Sequence, residues 1–234
     1  MKKLITIFII SITLLGCKQG TVDKNITIES TKFNQKLADE LEKMAEIDQI
    51  AAYIPQGKYK ELSKSEWNTF KDSVFKTNQK RISEIFDTYG FVGFDLAGEK
   101  GSRNFWLIVQ HSDHNPKFQK KVLKAMKKEV DKQNAIASNY GLLVDRVNLN
   151  TGKPQIYGTQ ITYNMNNGQA YPKKLKDSIN VNERRKSIGL EPIENYLNDM
   201  SEMHFEMNEA YYSSKGITEP KLYKTQTNPI RKNP

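Results

Sequence analysis

From Phe33 onward the apolar residues of this chain recur at every third or fourth position, and this period constrains the fold more than any other feature. Phe33, Leu37, Leu41, Met44, Ile47 and Ile54 form the first series. Residues spaced this way share one face of an α-helix, so the segment is expected to bury that face against a partner. The series stops before Pro55-Gln56-Gly57. A second follows Ser63-Lys64-Ser65-Glu66, where a serine and a glutamate three residues later make a capping box. It carries Trp67, Phe70, Val74, Ile82, Ile85, Phe86 and Tyr89 and ends at Gly90.

The remaining chain is less uniform. Phe91 to Asn104 contains Gly93, Gly98 and Gly101 and reads as a loop. Phe105 to Val109 is a short buried run that fits a strand or a helix equally. Asn115-Pro116 then supplies a cap and a first-turn proline for a helix burying Phe118, Val122, Met126 and Val130. Val144–Leu149 and Gln155–Tyr163 flank Asn150-Thr151-Gly152-Lys153-Pro154, a pattern that predicts a β-hairpin over about residues 144–163. Asn164 to Lys176 reads as a loop. A short helix is expected from Val181 to Ile188, closed by Gly189 and Leu190. The last helix starts at Pro192 and places Ile193, Tyr196, Leu197, Met200, Met203, Met207 and Tyr211 in the core. The expected fold class is α+β and predominantly α-helical. A single domain of several packed helices spans 31–216 with one small β-hairpin, followed by a polar, disordered tail at 217–234.

The first twenty residues carry a different message. Lys2 and Lys3 precede an apolar run from Leu4 to Leu15, and Leu14-Leu15-Gly16-Cys17 follows. The run is about a dozen residues, too short to cross ~30 Å of hydrocarbon, and it has the layout of a signal peptide. Leu-Leu-Gly before a cysteine resembles the lipobox of bacterial lipoproteins. That resemblance implies cleavage after residue 16, lipidation of Cys17 and acylation of the new amino terminus. Residues 17–30 would then be a polar tether, and the protein would sit in the bacterial cell envelope, on the outer side of the cytoplasmic membrane or on the outer membrane. An ordinary secretory signal or an uncleaved anchor are the alternatives.

Cys17 is the only cysteine, so the body is left without thiol chemistry or disulfides. Its fold must rest on its core, which a chain of 234 residues can supply. The formal net charge is +9, and removing the segment with Lys2 and Lys3 leaves +7. A basic balance in the envelope favours anionic partners, with nucleic acid a poor fit to that compartment. No later apolar run is long enough to span a membrane. Lys117, Lys120, Lys121, Lys124, Lys127, Lys128 and Lys132 line the polar face of the helix after Pro116. This face either meets anionic envelope polymers or lipid headgroups, or is simply solvated.

Three strings crowd hydrogen-bonding side chains beside apolar runs. The first ends Trp106–Asp113 in Gln110-His111-Ser112-Asp113. The second is Asp145-Arg146-Val147 with Gln155-Ile156-Tyr157-Gly158-Thr159-Gln160. The third is Asn182-Glu183-Arg184-Arg185, running on to Ile188-Gly189-Leu190-Glu191-Pro192. Together they resemble an uncharacterised bacterial family known only as a domain of unknown function. The likeness spans roughly Leu41 to Tyr196 and includes a Met-x-x-x-Asp-Gln element at Met44–Gln49. It implies a shared site without implying a reaction.

Among the residues themselves, His111 is the acid–base candidate. Imidazole titrates near physiological pH, and Asp113 or Asp145 would orient it. A histidine bonded at a helix end has the same signature. Arg146, Arg184 and Arg185 are suited to clamp a phosphate or carboxylate, or to form a buried ion pair with Asp145. Gln110, Gln155, Tyr157, Thr159 and Gln160 would bind a sugar or peptide, or satisfy the hairpin's own backbone. The spacing of His111, Asp113 and His114 suits no metal, and no cofactor is implied. There is no Gly-x-Ser-x-Gly elbow and no phosphate-binding loop. Three functions follow: a hydrolase or transferase acting on a polar or anionic envelope substrate, a non-catalytic ligand-binding lipoprotein, or an internal polar network that only specifies the fold.

Overall fold

The computed structural model describes residues 32–225. The signal segment 1–16, Cys17 and the tether at 17–30 lie outside the described residues. Asn34 accepts a hydrogen bond from Leu37 N at 3.1 Å and starts α1, Gln35–Ala52. A 3₁₀ turn at Gly57–Glu61 leads to α2, Lys64–Tyr89. Here the capping box forms as the sequence predicts, with Glu66 N donating to Ser63 Oγ at 3.3 Å and Ser63 N to Glu66 Oε2 at 2.8 Å. These reciprocal bonds satisfy two donors that a helix start would otherwise leave open.

The glycine-rich segment after Gly90 is helical rather than a loop. α3 runs Phe94–Gln110, bent at Gly98, whose φ of 69° and ψ of 176° interrupt the helical backbone. Glycine meets this conformation without a Cβ clash, so the bend aligns the two parts instead of ending the element. Phe105–Val109 is therefore helix. α4 spans Pro116–Asp131, capped by Asn115 with proline at its start, and α5 spans Ala137–Asn150.

α1 lies along α3 and α2, and α4 along α5. Between them Leu41, Ile82, Ile85, Val92, Phe105, Ile108, Val122, Met126, Leu143 and Val147 form the main core. Burying a side chain of this size contributes about 1.5–3 kcal/mol, enough to hold the body together without a covalent staple.

The β element forms elsewhere than expected. Val144–Leu149 belongs to α5, and the antiparallel pair is β1, Ile161–Tyr163, with β2, Ala170–Pro172. What reads as a hairpin turn at Thr151-Gly152 is the end of α5: Thr151 N donates to Val147 O and Lys153 N to Asn148 O. β1 and β2, α6 (Val181–Lys186) and α7 (Ile193–Met207) enclose a smaller core of Ala170, Val181, Ile193 and Leu197. α6 ends at Gly189 and Leu190 as predicted, with Leu190 N bonded to Arg185 O at 2.9 Å.

The last helix divides into α7 and α8, Glu209–Ser213. Met203, Met207 and Tyr211 are exposed, which corrects the expectation that they are core. Beyond Gly216, Tyr223 donates to Ala170 O at 2.9 Å and Asn198 bonds its backbone N–H and C=O, so this residue is held against the smaller core while Lys221, Leu222, Lys224 and Thr225 are exposed.

Candidate functional site

α1 and α3 bring an acid and an imidazole together inside the body. Asp48 is fully buried near the C-terminal end of α1, and its Oδ2 lies 2.5 Å from Nδ1 of His111, which caps α3. A carboxylate oxygen can only accept, so with Asp48 ionised this bond requires a proton on Nδ1. Nε2 makes no hydrogen bond among the described residues. Asn78, from α2, donates to Met44 O at 3.2 Å and to Asp48 Oδ1 at 3.4 Å, which fixes the carboxylate from behind. The Phe75 ring packs against His111 at 5.5 Å between centroids.

His111 opens on a depression of about 480 Å³ lined by Lys71, Asp72, Phe75, Lys76, Asp113, His114 and Arg146. Asp113 and Arg146 form a two-pronged ion pair, Nε to Oδ1 at 2.8 Å and Nη2 to Oδ2 at 2.6 Å. Asn150 adds a bond to Oδ1 at 2.8 Å. Burial works against the Asp113 charge, but the Arg146 guanidinium, with Gln119 and Asn150, outweighs it and holds the carboxyl below its usual range. The fully buried Gln119 donates through Nε2 to Val109 O, Gln110 O and Asp113 Oδ1 at 3.1–3.2 Å. Its Oε1 is buried without a partner.

The other sequence candidates form a separate internal network. Asp145 is fully buried and receives the backbone N–H groups of Ile156 (2.6 Å), Tyr157 (3.0 Å) and Thr159 (2.9 Å), and the Thr159 hydroxyl (3.0 Å). Neither Asp145 nor Asp113 orients His111; that role falls to Asp48. Asp145 forms no ion pair with an arginine either. It clamps a loop, with no acceptor left over for chemistry.

Gln155, fully buried, donates to Gln160 O and Lys173 O and accepts from Gln160 N, closing the same loop. Arg184 joins Ile156 O to Lys176 O, Asp177 O and the Asp177 carboxylate. Arg185, 1% exposed, donates to Glu191 O and Tyr157 O and lies over the Tyr196 ring at 5.1 Å. Burial draws its pKa below the ordinary arginine value. Tyr157 is half-buried and its phenol is pushed up by burial. Gln110 contributes its carbonyl to Gln119, and its side chain lines no depression described here.

Thus the structure brings His111, Asp113 and Arg146 to one open site and sends Asp145, Gln155, Thr159, Arg184 and Arg185 into the scaffold beside it. Asp48, Asn78 and Gln119 belong to the site, and the sequence gives only one hint of them: an aspartate at position 48, on the face of α1 that otherwise buries Leu37, Leu41 and Ala45. An acid at a core register position asks for a buried partner. Among the described residues no three His, Cys, Asp or Glu side chains come together as a metal site.

The fold and site define a class: a predominantly helical domain whose open groove carries an aspartate-held histidine beside an arginine–carboxylate pair. The chain belongs to a family of unknown function (DUF6624), which matches residues 35–207. No curated protein and no solved structure matches it.

Proposed function

We propose that this protein is a lipid-anchored bacterial envelope protein whose groove binds a polar or anionic envelope substrate and cleaves or transfers it by histidine acid–base catalysis. The observation that carries the reading is the buried Asp48 bonded to His111 Nδ1, with Nε2 unpartnered beside the groove. Such a pair keeps Nε2 basic and stabilises the imidazolium once it takes a proton. Nε2 accepts a proton from water, or from an acceptor hydroxyl, as that oxygen bonds to the electrophilic centre. The proton then passes to the leaving oxygen as the old bond breaks. Arg146 keeps Nη1 outside the pair with Asp113, and Lys71 and Lys76 line the same depression, a cationic setting for an anionic group.

Support for the envelope setting comes from the Leu14–Cys17 pattern and from α4. Among the described residues no helix is long and apolar enough to cross a membrane. A lipid on Cys17 would supply an anchor of its own. Lys32 shares a depression with Lys121, Lys124 and Lys128 of α4, which puts the start of the body next to that basic face. A basic face of this kind suits anionic headgroups.

Assay of the full chain on isolated envelope fractions tests the reading, with release of soluble fragments as readout. His111→Ala should abolish release and leave binding intact. Equal release by the variant would contradict catalysis and leave a binding lipoprotein.

A further inference from the structure

A second depression, of about 590 Å³, adjoins the first. It is lined by Asp113, Arg146, Leu149, Asn150, Gly152, Gln160, Lys173 and Lys174. Asp113 and Arg146 line both, so the two are arms of one groove meeting at this ion pair. One wall of the far arm is tied down, because Gln155 joins Gln160 O to Lys173 O and Asp145 holds the loop of residues 156–159 that leads into Gln160.

The charges along the groove are uneven. Lys71 and Lys76 line one arm and Lys173 and Lys174 the other, and among the described residues none of the four makes an ion pair. Asp113, the one acid of the far arm, is already neutralised by Arg146. In the near arm Asp72 offsets one of the two lysines and leaves a positive balance, whereas the far arm carries Lys173 and Lys174 with its one acid already paired, so the groove favours anions and the far arm most strongly.

We propose that the substrate is a linear polyanion with one anionic group in each repeating unit. One such group lies beside His111, and the next lies across the Asp113–Arg146 pair against Lys173 and Lys174. This rests on the catalytic reading of His111 and extends it from one anionic group to a repeating backbone. Two linked anions bind far better than one because the second engages at high effective concentration.

The test is calorimetric titration of the full chain with a short poly(glycerol phosphate) and with monomeric glycerol phosphate. The polymer should bind at least about tenfold more tightly than the monomer, and more weakly as salt rises. The double variant Lys173→Ala, Lys174→Ala should remove most of that advantage while leaving thermal unfolding as it is. Equal affinity for polymer and monomer, or an unchanged double variant, would overturn the proposal. So would tighter binding of a single-stranded oligodeoxynucleotide than of the polymer. So would binding to phosphatidylglycerol vesicles that depends on Lys173 and Lys174 while polymer binding does not. His111→Ala should keep the polymer preference. If it also keeps turnover, the catalytic reading fails while the two-arm groove stands.

Discussion

Asp48 and His111 stand 63 residues apart in sequence and 2.5 Å apart in the fold, the acid fully buried and the imidazole at the edge of the groove. The bond ties the end of α1 to the end of α3, so the packing of those helices sets the position of the ring. This arrangement holds the imidazole in a fixed place at the edge of the groove.

Asp48→Asn tests the acid directly. The amide removes the charge that stabilises the imidazolium and weakens the preference for the Nδ1–H tautomer. Turnover on the envelope substrate should fall by roughly 10²–10⁴ with binding little changed. Turnover within a factor of about two of wild type would separate Asp48 from the chemistry.

Asp145→Asn is expected to act on stability. The carboxamide can face the donors from Ile156, Tyr157 and Thr159 with one oxygen only, and its NH₂ opposes the others. Hydrogen bonds to a charged group contribute about 1.5–3 kcal/mol each, so a loss of about 3 kcal/mol is expected in denaturant unfolding. A loss below about 1 kcal/mol would show that the loop holds without the clamp.

His204 should make the stability pH-dependent. Its ring stacks on Tyr163 at 3.7 Å and meets the Tyr212 hydroxyl at 3.1 Å, and burial lowers its pKa. Below the ordinary imidazole value of about 6.5 the unfolded chain takes a proton that the native ring resists. Its contribution is therefore full above that value and is lost as pH falls through it. Unfolding midpoints followed downward from neutral pH should decline less steeply in His204→Gln than in wild type. Identical slopes would remove His204 from the account.

Gly158→Ala probes the loop that Asp145 holds. Gly158 has a φ of +71°, and a Cβ there would lie 2.6 Å from Ile193 Cδ1. Strain and overlap together should cost about 1–3 kcal/mol in denaturant unfolding. An unchanged midpoint would mean that the loop can shift without penalty.

Much of the helical frame was legible because its signals are local. The period of α1 and α2, the Ser63–Glu66 box and Asn115-Pro116 each act over a few residues. Val144–Leu149 reads as a strand because its Val- and Leu-rich run meets Asn150-Thr151-Gly152, and the same turn residues that would link two strands close a helix here. The burial of α5 also alternates: Gly141, Leu143, Asp145 and Val147 are buried and their neighbours less so. The helix is buried on two sides, with Leu143 and Val147 in the main core and Asp145 under the loop of residues 156–159, and a two-sided helix can imitate strand alternation.

At the site, His111, Asp113 and Arg146 were visible as polar residues beside apolar runs. Their partners were not, since no local rule joins position 48 to position 111 or tells Asp113 from Asp145. Those choices depend on how α1, α3 and α5 pack. The structural role of Arg184 and Arg185 was equally hidden, because their acceptors are mostly backbone carbonyls and any residue type can supply one.

The catalytic reading requires that Asp48 hold the proton on Nδ1 of His111 and leave Nε2 free to accept one. Long-range ¹⁵N–¹H NMR of the histidine ring in the full chain, recorded where the imidazole is neutral, reads this without a substrate. The account predicts a protonated Nδ1 and an unprotonated Nε2 for His111, with the preference weakened in Asp48→Asn. A His111 ring protonated on Nε2, or one that Asp48→Asn leaves unaltered, would contradict it.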